Sequence, residues 1–340
     1  MRRWRRLRGM KQILVMMAAM VLVGCSKDTP ETSQAAEAEA QVTFVTGPVL
    51  PANEKLIAAP IVEKAVREEL GKPEGELTEA DYEKVTELVL NHSNLTNVKG
   101  LENLTQLTKL NLYANELTTM KGLEKFTKLK ELWLDNNKLT DVPKGLEKLD
   151  QLTKLSLGVN QLTDVEGLEK LTQLKYLYIT YNQLTSVKGL EKLTQLKVLD
   201  LHGNKITSVK GLEKLTQLTW LTLQGNQLTS VKGLEKLYQL TDLNLDANQL
   251  TDVKGLEKLN QLKSLTLAKN QLTDVKGLDK LDQLMWLYLY KNKLNDVTGL
   301  EKLAKLEVLD IRHNPDLTKA QIDQLKKALP NCKIHSNPTK

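Results

Sequence analysis

Residues 152–173 read LTKLSLGVNQLTDVEGLEKLTQ, and residues 174–195 continue as LKYLYITYNQLTSVKGLEKLTQ. Aligned, the two blocks share leucine, valine, glycine and asparagine at the same offsets, while the residues flanking Leu155 and Leu177 differ. The block restarts at Val85, Leu107, Leu129, Leu152, Leu174, Leu196, Leu218, Leu240, Leu262, Leu284 and Leu306. The spacing is 22 residues throughout except in the third block, which takes 23 and places its extra residue near Pro143, on the connecting side. Within each block the L-x-L segment alternates apolar and variable residues, the period of a strand with one buried face. About seven apolar positions per turn face one core, and a single turn cannot bury them without neighbours.

A fixed period of this length with this leucine spacing is that of leucine-rich repeats. The expected fold is therefore an α/β-type repeat solenoid, a curved right-handed superhelix with a parallel sheet on its concave face and a helical cap at each end. One asparagine recurs per turn: Asn115, Asn137, Asn160, Asn182, Asn204, Asn226, Asn248, Asn270, Asn292 and Asn314, with Ser93 in the first. A carboxamide both donates and accepts, so this column is expected to satisfy backbone groups where the chain leaves the strand, as a structural ladder rather than a site.

Outside the repeats, Ile61, Val62, Val66 and Leu70 recur near helical spacing after Pro60, and Gly71 suits the C-terminal end, predicting a helix over about 60 to 70. Thr78 and Asp81 form a capping-box-like pair that leads into a strand from Thr86 to Leu90. Residues 43–84 are thus expected to be an N-terminal cap covering the first strand's edge, 85–314 the repeats, and 315–340 a C-terminal cap. The last cap is signalled by Thr318 with Gln321, a helix stopped by Pro330, and a final short strand in LPNCKI.

The formal charge of +6 comes from 48 basic against 42 acidic residues. Arg2, Arg3, Arg5, Arg6, Arg8 and Lys11 all fall in the first 24 residues with no acid among them, so the remainder is neutral. A neutral body lacks the one-signed field that nucleic-acid binding needs, and nucleic acid is not expected as a partner. The same 24 residues pair that basic stretch with an apolar run from Ile13 to Gly24. The run is shorter than the roughly 20 residues of a membrane span and suits an export signal.

The run ends Leu22, Val23, Gly24, Cys25, which resembles the lipobox of bacterial lipoproteins. The resemblance implies a signal peptide over 1–24, a diacylglycerol on Cys25, and a mature chain beginning there. Ser26 after the cysteine implies outer-membrane delivery in a two-membrane organism. Pairing of Cys25 with Cys332 is the alternative fate of the two cysteines, and lipidation excludes it. Residues 25–42 are polar and rich in Ala and Glu, a flexible tether by composition. The expected location is the cell envelope, lipid-anchored and facing the periplasm or exterior.

The V-x-G-L-x-x-L form of the block resembles the repeats of bacterial internalins, and also those of a regulatory subunit of eukaryotic protein phosphatase 1, from Val85 to Ile334. Internalins grip surface proteins with the concave strand face, so the resemblance implies a binding role there. The contact residues lie at variable positions and are not carried over.

Those variable positions hold nine of the thirteen aromatics outside the leader: Tyr113, Trp133, Tyr176, Tyr178, Tyr181, Trp220, Trp286, Tyr288 and Tyr290. Core packing does not require aromatics on that face, and Tyr and Trp are enriched in interface hot spots. Asp200, His202, Asp242 and Asp246 lie between the two aromatic groups. At about 4.8 Å per strand the face is roughly 50 Å long, which suits a protein partner; a glycan or wall polymer on the aromatic platforms, or a spacer without ligand, are the alternatives. The chain is expected to be a monomer with no cofactor and no metal site. The four histidines, His92, His202, His313 and His335, are scattered over separate turns, and no nucleophile elbow, phosphate loop or HExxH is present, so an enzyme is not expected. The recurring VKGLEKLTQL segments read as a solvated, self-compensating opposite surface.

Overall fold

The computed structural model describes residues 58–337. The leader, Cys25, the tether and the first part of the expected N-terminal cap lie outside the described residues. Helix α1 runs Ala58–Leu70 and ends at Gly71 in the left-handed region, φ +65°. The short helix α2, Glu79–Tyr82, opens with the reciprocal pair of Thr78 and Asp81. Ion pairs to Lys72 and Lys84 also hold the Asp81 carboxylate, and with the Thr78 bonds they keep its pKa well below the usual range.

Twelve three-residue strands follow: β1 Glu87–Val89, β2 Lys109–Asn111, β3 Glu131–Trp133, β4 Lys154–Ser156, β5 Tyr176–Tyr178, β6 Val198–Asp200, β7 Trp220–Thr222, β8 Asp242–Asn244, β9 Ser264–Thr266, β10 Trp286–Tyr288, β11 Val308–Asp310 and β12 Lys333–His335. They form one parallel sheet in chain order, each strand paired with the next. The pairing is in strict repeat register, Leu177 against Leu199 against Leu221. The strand expected over 86–90 is shorter, because only three residues per turn pair before the chain bends away. Helix α3, Lys319–Ala328, starts with the capping box of Thr318 and Gln321 and packs against the connecting turn Leu300–Lys302.

The core is a column of leucines. Leu174, Leu177, Ile179, Leu184, Val187, Leu190 and Leu193 of one turn are all fully buried, and Met120 at the valine position and Phe126 at a leucine position are 1% exposed each. Every turn shields its neighbours, so stability resides in the interfaces between turns. The extra residue of the third block stays on the connecting side: the Leu146 N–H reaches Pro143 O at 3.1 Å, and Leu132 still faces Leu155 across β3 and β4.

Each asparagine binds two turns together. Asn204 Oδ1 accepts the Leu184 N–H at 3.1 Å, and its Nδ2 donates to Ile179 O at 2.8 Å in the preceding turn and to Leu201 O at 3.0 Å in its own. Asn137, Asn226, Asn248, Asn270 and Asn314 repeat this pattern. One expectation needs correcting on the opposite side. The glutamate of GLEK is more than solvated surface: Glu191 Oε2 accepts the Gly189 N–H at 2.7 Å, and Glu213, Glu235 and Glu257 do the same for their glycines. Those glycines carry φ near +110°, as at Gly189 and Gly211, which a side chain would strain. The turn thus needs both glycine and an acceptor for its N–H.

Candidate ligand-binding face

Alternation along each strand sends the middle leucine into the core and its two flanking residues onto the outer face of the sheet. Parallel register then lines these up as columns. One column runs Trp133, Ser156, Tyr178, Asp200, Thr222, Asn244, Thr266, Tyr288 and Asp310. Its neighbour holds Lys154, Tyr176, Val198, Trp220, Asp242, Ser264 and Trp286. Beyond the strands come Tyr113, Asp135, His202, Asp246, Tyr290 and Arg312, followed by a position with positive φ that includes Tyr181 at +48°.

Eight of the nine aromatics fall into two groups on this face, and Tyr113 stands apart, its ring edge-on to His92 at 5.2 Å. The first group comprises Trp133, Tyr176, Tyr178 and Trp220 on β3, β5 and β7, with Tyr181 just past β5. Lys154 lies between two of its rings, with Nζ 5.1 Å from the Trp133 centroid and 5.9 Å from that of Tyr178. Tyr181 leans on His202 with centroids 4.7 Å apart and covers Gly203, where an added Cβ would meet the ring at 2.7 Å. The second group is Trp286, Tyr288 and Tyr290, but Tyr290 stands past the end of β10 rather than on it. Its ring is flanked by Lys291 at 5.3 Å, Arg312 at 5.8 Å and His313 at 5.1 Å.

Between the rings the floor is acidic. Asp200 is only 6% exposed and Thr222 beside it 5%. Burial pushes the Asp200 carboxyl up to about 7, against the lowering effect of the His202 N–H it accepts, and the charge of Asp135 adds to the rise. Asp135 accepts from Ser156 Oγ and from the Gly158 N–H at 3.0 Å, and burial raises it too. Asp246 accepts the Ala268 N–H at 2.7 Å and is raised by burial to about 6. Burial also pushes the Tyr178 hydroxyl up to about 12, with the Asp200 charge as the next cause, and lowers the pKa of His202. Asp242 lies on β8, two strands from Asp200 and in the other column.

Sequence reasoning singled out the aromatics and Asp200 but missed Asp135, Ser156, Thr222 and Lys154, which shape the floor and occupy one gap between rings. Reading the column through Tyr178 and Asp200 from turn to turn would have found Ser156 and Thr222 as the small residues beside the large ones. Among the described residues no group of three or more His, Cys, Asp or Glu is placed to hold a metal ion. Among the same residues no helix is long and apolar enough to cross a membrane.

The family described as leucine-rich repeats in two copies matches residues 172–214 and 216–258, and a second leucine-rich-repeat family matches 127–184. The fold is similar to the crystal structure of an internalin, inlF, from Listeria monocytogenes, with a TM-score of 0.70 and 26% identity over 85% of this chain and 95% of that one. Internalin C2 of the same organism gives 0.53 and 29% identity over 68% and 93%. The leucine-rich-repeat ectodomain of the Arabidopsis thaliana receptor kinase GASSHO1/SCHENGEN3, solved in complex with CASPARIAN STRIP INTEGRITY FACTOR 2, gives 0.58 and 27% over 72% and 34%. No curated protein matches the chain in sequence. The repeats are leucine-rich repeats, and the solenoid they build is internalin-like.

Proposed function

We propose that this protein is a non-enzymatic scaffold of the bacterial cell envelope, lipid-anchored through Cys25, that takes a protein partner on the outer face of its sheet. The observation that carries the reading is the contrast between columns. Core, ladder and turn positions barely change from block to block, whereas the outer face varies and collects the aromatics and half-sunken carboxylates. Interface hot spots favour Tyr and Trp at well-packed, desolvated positions. The GASSHO1/SCHENGEN3 ectodomain was solved with a ligand of its own, which supports a protein or peptide partner for a similar solenoid.

A glycan is the second reading, since exposed rings beside acids suit a sugar. The rings of Trp133, Tyr178 and Tyr290 are already engaged by cations of the chain, which favours protein. Capture from envelope and host extracts, run beside a glycan array, separates these readings from a ligand-free spacer. Tyr178→Ala combined with Trp220→Ala is expected to weaken capture at least about thirtyfold, as loss of a hot spot does. Capture unchanged by the pair of substitutions would contradict the proposal, and binding on the glycan array alone would favour the second reading.

The anchor is tested separately. Stable membrane attachment takes more than one acyl chain, as a lipidated N-terminal cysteine supplies. Cys25→Ala is expected to move the protein from the membrane pellet to the soluble fraction. A variant that still pellets tightly would refute lipid anchoring.

A further inference from the structure

We propose that the outer face recognises a basic side chain of its protein partner, lysine or arginine, seated on Asp200 between Tyr178 and Thr222. The inference rests on the sheet face being the binding face and names the chemistry it selects. Asp200 ends β6 on the outer face of the sheet, and the residue is 6% exposed. Oδ1 accepts the His202 N–H at 3.1 Å. Among the described residues no lysine or arginine forms an ion pair with it.

The chain holds its own control for this site. Asp310 occupies the same column five strands on, is 5% exposed, and likewise accepts the N–H two residues ahead. There the residue two ahead is Arg312, whose guanidinium forks onto the carboxylate, Nε to Oδ1 at 3.0 Å and the terminal nitrogen to Oδ2 at 2.7 Å. After β6 the matching residue is His202, turned instead against Tyr181. A buried carboxylate is normally paired, and one left unpaired destabilises the fold unless a cation reaches it. Asp310 has its cation within the chain; Asp200 has none among the described residues.

The surroundings suit an incoming cation. Tyr178 lies directly across from Asp200 on β5, and the small Thr222 lies across on β7. Aromatic faces attract ammonium and guanidinium groups, and on this sheet Lys154 already uses the other side of the Tyr178 environment in that way. Asp135, Asp242 and Asp246 lie on the same face, with Lys154 and Lys269.

The test is selection of a random linear peptide library on the folded protein, with Asp200→Asn and Tyr178→Ala as comparison baits. Selected peptides are expected to align on a lysine or arginine. Replacing that residue by alanine, or the bait by Asp200→Asn, should each weaken binding on the order of thirtyfold, the usual loss when one half of a desolvated charge pair is removed. Peptides that lose affinity for Tyr178→Ala yet share no basic residue, or bind Asp200→Asn unchanged, overturn this inference and leave the binding face standing. A library that yields no binder, or only binders indifferent to both substitutions, overturns the inference and the binding-face reading together.

Discussion

Replacing Asn204 by leucine is expected to lower stability by about 3 kcal/mol and the melting temperature by roughly 5–10 °C. The side chain is 6% exposed and sits between turns, so water cannot replace what it gives. Leu201 O is also reached by Asn226, and His202 O by the Tyr181 N–H, so both keep a partner. The Leu184 N–H and Ile179 O have Asn204 alone, at 3.1 and 2.8 Å. Leucine fills similar space but strands both groups, each at a cost of about 1–3 kcal/mol when buried. A solenoid distributes its stability over interfaces between turns, so the loss should first open the turns of β5 and β6, seen as faster amide exchange at Leu184. An unchanged melting curve would show that the ladder does not hold the turns together.

Asp200→Asn is expected to act in the opposite direction and to depend on pH. The folded carboxyl titrates near 7 and the unfolded one near its ordinary 3.8, because burial disfavours the charge. Between those values the folded state keeps a proton that the unfolded chain has lost. The stability this gives is present below about pH 4 and falls away as pH rises through 7. Asparagine never ionises and still accepts the His202 N–H. The variant should therefore match the parent at pH 4 and exceed it at pH 8 by about 2–4 kcal/mol. Asp246 is raised in the same sense, so the parent's own stability should decline from pH 4 to 8. A variant that melts below the parent at pH 8 would mean that Asp200 is satisfied in the folded chain. A stabilising substitution at a binding position is the usual mark of a residue kept for function rather than for folding.

The fold was legible because the core dictates its letters. Leu177, Leu199 and Leu221 recur since each must fill the same space between turns, and Met120 in the column of Val142 and Val165 and Phe126 in that of Leu149 and Leu171 stay buried without changing the pattern. The asparagine column was legible for the same reason, being the one small side chain able to serve two turns at once. The turn glutamates were misjudged because a charged residue on a lysine-rich loop reads as solvated. Only the geometry shows Glu191 turned back onto Gly189. The site was half legible. Aromatic letters stood out in the variable columns, but alternation along β6 predicts an exposed Asp200. Its burial comes sideways, from Tyr178 on one neighbouring strand and Thr222 on the other, and periodicity along the chain carries no record of lateral neighbours. Lys154 was missed likewise, since its position between Trp133 and Tyr178 joins three consecutive strands.

The claim that the variable sheet face holds the partner is tested most directly by site-specific photocrosslinking. A photoreactive amino acid is placed at Gln224, on the sheet face just past β7, or at Thr216, exposed on the opposite connecting side of the same turn. Each protein is irradiated in envelope and host extracts. The account predicts a discrete protein adduct from position 224, lost on Tyr178→Ala, and none from position 216. An adduct from position 216 with none from 224 would contradict it.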